Sequence, residues 1–223
     1  SGFLSALMLT GFILLGILMT FLVSRLLSCT LLKGLPSSFT LELPPYRRPQ
    51  IGKVILRSVI DRTLFVLARA VAVAAPAGLI IWLLANIETG GASLLAQFTA
   101  FLDPLGRTLG MDGVILAAFI LGFPANEIVI PIMIMAYSAA GSLTELNLAQ
   151  LHTLFLSNGW SWVTALCTLL FFLMHWPCST TLITIGKETH SLKWPLLAFF
   201  IPTICGMLIC FLVASGARLL GVC

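Results

Sequence analysis

The chain has 223 residues, 59% of them hydrophobic and only 9% charged, where an average soluble domain carries about 25% charged residues. That balance excludes a soluble globular domain and fits an integral membrane protein with five or six apolar stretches of about 20 residues; the stretches do not alternate polar and apolar as membrane strands do, so the membrane part is helical. The net charge of +4 is local: Lys33, Arg47, Arg48, Lys53, Arg57 and Arg62 share one window, which the positive-inside rule places in the cytoplasm and which is not read as a nucleic-acid surface.

Residues 3–27 form a first span. Arg25 and Lys33 lie at and beyond its end, so that end faces the cytoplasm. The apolar run starts at once, with no basic region before it, so no signal peptide is expected. The chain opens on Ser1 rather than Met, as a fragment or trimmed chain would. Residues 33–50 follow as a polar connector; Pro44, Pro45 and Pro49 remove donors and fix φ, which makes it an extended cytoplasmic strap. In residues 51–62, Ile51, Val54, Ile55, Val59 and Ile60 alternate with Lys53, Arg57, Asp61 and Arg62 at helical spacing, the pattern of an amphipathic helix lying in the membrane interface. A second span is expected over 63–87, with Arg69 snorkelling near its start. Residues 92–109 read as a second interfacial helix on the opposite side, interrupted at Asp103-Pro104.

Residues 112–139 form an apolar segment broken at Gly122-Phe123-Pro124-Ala125-Asn126-Glu127. Gly122 and Pro124 both oppose a continuing helix. A half-helix restarting near Pro124 would hold Asn126 and Glu127 in or near its first turn, where a carboxylate is favoured, and Pro131 would distort it again. Glu127 is the only acid between Val114 and Tyr137. An ionisable group at membrane depth usually serves a path, so Glu127 would bind or pass a cation and Asn126 would add a carbonyl ligand. The plainer alternative is a packing kink, with Glu127 protonated or tied to a backbone donor. Met133 and Met135 follow and read as packing.

After a polar turn at 139–147, residues 148–174 form a helix interrupted near Asn158-Gly159. Trp160 and Trp162 read as interface anchors, and His152, among leucines, as structural. The second break is His175-Trp176-Pro177-Cys178-Ser179-Thr180-Thr181. Pro177 ends one helix, and the run after it supplies caps for the next. Thiolate and imidazole suit first-row transition metals, and a cysteine at a helix N-terminus leans towards thiolate. His175, Cys178 and Ser179 are therefore candidate ligands of a transport path; the alternative is a buried thiol, simple caps and an interfacial histidine. Four converging Cys or His residues are missing, so no closed zinc site is expected. The other cysteines (29, 167, 205, 210 and 223) read as small buried hydrophobes. Residues 182–186 resume apolar character, Lys187, Glu188, His190 and Lys193 form a charged loop, and a last span covers about 195–215, closed by Arg218.

Two topologies fit. Both broken segments cross the membrane, or residues 148–186 form a re-entrant hairpin while 112–139 cross inward. The second is preferred because it keeps Lys187 and Lys193 cytoplasmic. The fold class is thus all-α: a polytopic helical membrane protein with interfacial amphipathic helices and broken or re-entrant helices.

One string is more specific. Glu42-Leu43-Pro44-Pro45-Tyr46-Arg47, after one span and before a basic amphipathic helix, resembles the bacterial ferrous iron transport protein B family. The acidic first break and Pro177-Cys178 with its hydroxyl residues resemble the family's late gate segments. The resemblance implies the C-terminal half of the membrane domain, divided as a first span (1–32), the connector (33–50) and a gate-type membrane domain (51–223). It implies a multi-pass protein of the bacterial cytoplasmic (inner) membrane that carries Fe²⁺ as substrate, with no permanently bound cofactor. Its ion path would use Glu127, Asn126, Cys178, Ser179 and His175. Its partners would be the lipid bilayer, a GTPase domain and an earlier gate half, or a second copy of this chain in place of that half. No GxxxxGK[ST] occurs, since Gly52-Lys53-Val54 and Gly186-Lys187-Glu188 both fail it, so no enzymatic role is expected of these residues. Two other functions are carried forward: a nucleoside or organic-solute carrier of the related gate class, and a non-transporting membrane scaffold.

Overall fold

The computed structural model describes residues 2–30, 51–139 and 146–221. The expected strap at 33–50, with its Leu43-Pro44-Pro45-Tyr46-Arg47 string, and most of the turn at 139–147 lie outside the described residues, as do the side chains of Arg62 and Arg69. The chain divides into two units, Ser1–Val54 and Ile55–Cys223. In the first, α1 (Gly2–Thr30) is apolar on every face. The hydroxyls of Thr10, Thr20 and Thr30 each donate to the carbonyl four residues earlier, at 2.8, 2.8 and 2.7 Å. A helix in lipid must satisfy its polar groups internally, and these do so.

A short helix α2 (Ile51–Arg57) runs straight into a π-helical turn, Ser58–Leu64, and then α3 (Phe65–Asn86). The expected interfacial helix and second span are therefore one unbroken helical stretch. The apolar part of α3, Ala70–Asn86, lies at the short end of the roughly 17–25 residues a span needs. A two-residue antiparallel ladder follows, β1 (Glu88–Thr89) on β2 (Ala92–Ser93), with Glu88 opposite Ser93. The hydroxyl of Ser93 accepts from the Ala96 amide at 3.2 Å and starts α4 (Leu94–Thr108).

Helix α4 is not interrupted at Asp103-Pro104. The Asp103 carboxylate instead takes Arg107 Nε at 2.6 Å within α4 and the Gly113 amide at 3.2 Å across the next turn. These bonds hold the segment around Pro104 in place. The chain then bends by 111° into α5 (Gly113–Leu121). A bend that large lets amphipathic α4 lie along an interface while α5 plunges inward. The two backbones touch at Gly113, where any Cβ would stand 2.0 Å from the Thr99 carbonyl oxygen.

The main correction to the expected topology concerns residues 112–139. Helix α5 is followed by a 3₁₀ turn (Asn126–Ile128) and α6 (Val129–Tyr137). Asp112 caps α5, accepting the Ile115 amide at 2.8 Å on Oδ1, and its Oδ2 accepts the Tyr137 hydroxyl. A straight helix would separate these residues by about 37 Å. The chain has doubled back: 112–137 is a re-entrant hairpin with the first break at its tip. Pro131 does not distort α6, because it lies in the first turn, where its missing N–H has no partner to lose.

The second break is different. After α7 (Leu148–Ser157), α8 (Trp162–Met174) and α9 (Ser179–Thr189) continue as one span, Trp162–Thr189, interrupted only at residues 175–178. Lys187 and Glu188 close α9 rather than standing in a loop, and His190 turns the chain at φ 49°. Helix α10 (Lys193–Leu219) returns. Arg218 in its last turn donates to the Arg107 carbonyl at the end of α4. Among the described residues, three helices are long and apolar enough to cross a membrane: Gly2–Thr30, Trp162–Thr189 and Lys193–Leu219.

The hairpin sits at the centre. Ile115, Ala118, Phe119, Val129, Ile132 and Met133 of α5 and α6, with Val163, Cys167 and Phe171 of α8, are fully enclosed. Both hairpin helices are apolar on nearly every face, which suits elements packed on all sides. Helix α10 follows the opposite rule to a soluble helix. It buries small residues (Thr203, Gly206, Cys210, Ala214, Ala217) and exposes Phe200, Ile204, Leu208 and Leu212 in a stripe. Lipid is as apolar as leucine, so close helix approach rather than burial of bulk holds such an interface. The Cys167 and Cys210 thiols lie in that seam, each facing the other's carbonyl at 3.9 and 3.4 Å.

Candidate functional site

At the first break, α5 closes with the Gly122 amide on the Ala118 carbonyl at 2.8 Å. Only glycine fits here: a Cβ would stand 2.4 Å from Val129 Cγ2 and 2.8 Å from the Ala118 oxygen. The amides of Ala125 and Ile128 then bond Gly122 and Ala125 carbonyls at 3.0 and 3.1 Å, forming the tight tip that Pro124, lacking a donor, can occupy. Gly122 thus sets how closely the hairpin arms meet, and Asn126 and Glu127 start the returning arm.

At the second break, the His175 amide bonds the Phe171 carbonyl at 2.7 Å and ends α8. His175 and Cys178 are extended, and Pro177 lies between them. The Cys178 carbonyl then accepts the Thr181 and Leu182 amides at 3.0 and 3.2 Å to start α9. Its thiol lies 3.1 Å from both the Thr180 and Thr181 hydroxyls. The Thr180 and Thr181 hydroxyls are therefore committed to the sulfur rather than to capping, while the backbone of Cys178 begins the helix.

The two breaks meet. The Ser179 amide donates to the Phe123 carbonyl at 3.0 Å. The first turn of any helix has unbonded amides, and the sharp tip of a hairpin frees carbonyls; here each supplies what the other lacks. Ring contacts support the junction: Phe123 packs edge-on to Phe199 at 6.1 Å, and Phe199 stacks on Trp176 at 5.4 Å.

Polar atoms left without partners belong to the same two breaks. Among the described residues, the enclosed side-chain atoms lacking any hydrogen bond are Asn126 Oδ1, His175 Nε2, Trp176 Nε1 and Ser179 Oγ. Every one belongs to a break. Such orphans cost about 1–3 kcal/mol each and are rare, so four of them in two short breaks call for water or a ligand.

The chemistry of each atom follows from its surroundings. His175 Nδ1 lies 2.9 Å from the Phe172 carbonyl, which can only accept. Nδ1 therefore carries the proton, and the neutral ring presents an Nε2 lone pair, the form that binds metals. Phe119, Phe171, Phe172 and Trp176 surround the ring at 5.2–6.2 Å. Asn126 Oδ1 and Ser179 Oγ offer neutral oxygens. Cys178 is partly enclosed, whereas Glu127 is exposed, with no hydrogen bond or ion pair among the described residues. Among the described residues, no three His, Cys, Asp or Glu side chains converge.

Of the five residues singled out in the sequence, four thus lie at a junction of backbone and orphaned polar atoms, and Glu127 stands on its exposed side. The sequence reading missed Trp176 and the Asp112–Tyr137–Trp160 chain at the hairpin's base. Trp160 Nε1 donates to the Tyr137 hydroxyl at 2.8 Å, and its ring stacks on Phe155 at 4.1 Å. Trp160 is therefore a fixed part of that base, while Trp162 is exposed. The signal for Asp112 was present: an Asp directly before an apolar run is a helix cap. His152, read as structural, is exposed, while Met133 and Met135 are buried in the hairpin core.

A re-entrant hairpin whose tip bonds the interruption of a crossing helix defines a class: multi-pass helical membrane proteins built around a gate of paired broken helices. Comparison with known proteins names the family. The model described as "Ferrous iron transport protein B C terminus" matches residues 9–61, and the gate model described as "Nucleoside recognition" matches residues 67–192. The chain belongs to the gate family, as the C-terminal membrane domain of the ferrous iron transport protein B type. Its relatives include the Fe(2+) transporter FeoB of Staphylococcus aureus (strain MSSA476), 31% identical over 208 residues, covering 89% of this chain and 30% of the relative. The FeoB proteins of Leptospira interrogans (strain Fiocruz L1-130) and Campylobacter jejuni (strain ATCC 700819) are 28% and 25% identical, covering 93% and 95% of this chain and 33% and 36% of theirs. The chain therefore spans about a third of the length of these relatives. No solved structure matches it.

Proposed function

We propose that the chain is the C-terminal gate half of a ferrous iron importer in the bacterial cytoplasmic membrane, and that Fe²⁺ passes where the two breaks meet. The observation that carries this is the Ser179–Phe123 backbone bond with four orphaned polar atoms around it. Asn126 Oδ1, Ser179 Oγ and His175 Nε2 would be neutral ligands, Cys178 a soft ligand that the Thr180 and Thr181 hydroxyls hold in place, and the Glu127 carboxylate a charge that draws the cation in. A mixed, mostly neutral set of one donor per residue suits an ion that must leave again. The names of the relatives point to Fe(2+). A GTPase domain and an earlier gate half would complete the machine.

The test is iron uptake by the complete transport protein in cells, with membrane abundance measured in parallel. Cys178→Ser, Asn126→Ala and Glu127→Ala are expected to lower uptake at unchanged abundance. Full uptake in all three would remove the path from the breaks, and losses that only track abundance would favour a scaffold. A second reading has one observation behind it: the gate model is described by nucleoside recognition, and an orphaned amide oxygen and indole N–H suit a base. Metal-independent uptake of labelled uridine would replace iron with that substrate.

A further inference from the structure

The Trp176 indole is the one orphan that a cation path does not explain. Its Nε1 is enclosed and has no partner. An indole nitrogen only donates, so no bare cation can satisfy it. The ring is also held in place: it stacks on Phe199 at 5.4 Å and 20°, and meets Phe171 edge-on at 5.9 Å and 86°. His175 stands 6.0 Å away on the same break. A tryptophan anchored in the interface would point its N–H at lipid headgroups; this residue is half-buried and its N–H is the enclosed part.

Its neighbours in the orphan set have the opposite character. Asn126 Oδ1 and His175 Nε2 can only accept, and Ser179 Oγ can accept or donate. Cation-ligating atoms and a pure donor then belong to one site only if an oxygen stands between ion and indole. A water oxygen has two lone pairs, one for the metal and one for the N–H.

We infer that the Trp176 N–H binds a water carried by the passing cation, so that the ion crosses this gate partly hydrated. The inference rests on the cation path proposed above. Trp176 sets how much of the hydration shell the gate accepts, and an ion stripped of all its water would leave the indole unsatisfied. Water-mediated contacts of this kind cost little compared with direct ones.

Two measurements on the complete transport protein in a bilayer test it. The first needs no variant: with ¹⁵N-labelled tryptophan, the Trp176 indole proton is expected to exchange readily with D₂O despite its enclosure. The second is Fe²⁺ uptake by Trp176→Phe, which keeps a ring against Phe199 and loses the donor together with part of the ring volume. Uptake per folded transporter in the membrane is expected to fall roughly 2- to 10-fold, the worth of one hydrogen bond. An indole proton that stays protected for days overturns the inference, whether or not the variant folds. Wild-type uptake in Trp176→Phe overturns it too. If uptake also survives Asn126→Ala and Ser179→Ala, the cation path itself fails; if those two lose uptake and Trp176→Phe does not, only the hydration role fails.

Discussion

His175 separates ligand from packing group most cleanly, because its two ring nitrogens have different fates. Nδ1 is satisfied by the Phe172 carbonyl and Nε2 by nothing. His175→Phe would fit the surrounding rings, remove one orphan and give up one hydrogen bond. Those terms oppose each other, so melting should shift by no more than about 1 kcal/mol equivalent, while iron uptake falls. Equal uptake in the variant would make His175 a packing residue. Gly122 argues the reverse case, a residue with no chemistry that the site depends on. Gly122→Ala drives a Cβ to 2.4 Å from Val129 Cγ2, and overpacking of this kind costs about 1–3 kcal/mol. Pairing it with Val129→Ala removes the nearer clash and should recover part of the lost melting temperature. No recovery would mean that the Ala118 carbonyl, at 2.8 Å, is the real obstacle. The ligand types were legible in the sequence because Asn, His, Cys and Ser beside a proline are out of place in an apolar run. Trp176 was not, since a tryptophan beside a break looks the same whether its N–H faces headgroups or the interior.

At the level of elements, the breaks were legible and their geometry was not. Gly122 and Pro124 stop a helix in either topology. Whether the chain then proceeds or returns is decided 10 to 15 residues away on either side, where Tyr137 closes on Asp112, with Trp160 donating to the Tyr137 hydroxyl from further along the chain. No local propensity encodes that contact. The hairpin's base is accordingly a clamp on its tip. Asp112→Asn weakens the charged acceptor, and Tyr137→Phe removes the donor to Asp112 and the acceptor of Trp160. Each should destabilise the hairpin by about 1–3 kcal/mol. Hydrogen exchange would show it as faster exchange across 113–137, with α10 unchanged. Uniform acceleration through α8 and α10 would instead mean that the hairpin unfolds only with the rest. Interruption at Asp103-Pro104 was expected from proline alone, and the structure shows what that omits: the Asp103 carboxylate, just before the proline, bonds Arg107 in the next turn of the same helix and the Gly113 amide at the start of α5.

For the molecule as a whole, composition was sufficient for the class, but charge was not sufficient for which break is re-entrant. The expected arrangement sent 112–139 inward and folded 148–186 back, so that Lys187 and Lys193 stayed cytoplasmic. The structure fits the same charge rule by the opposite assignment: 112–137 doubles back on itself, and Trp162–Thr189 is long and apolar enough to cross. Both satisfy the positive-inside rule, so charge counting could not choose between them. They differ at residues 146–161. In the observed fold, this segment lies on the side of Asp112 and Tyr137, opposite Lys187; in the alternative, it shares a side with Lys187. Ala149 and Glu188 are both exposed, which makes Ala149→Cys and Glu188→Cys suitable probes. A thiol reagent that cannot cross the membrane should label Ala149→Cys in intact cells, and Glu188→Cys only after the membrane is opened. Protection of both until opening would restore the inward-crossing first break. The breaks would then approach from different sides, and the Ser179–Phe123 bond, on which the ion path depends, would lose its place.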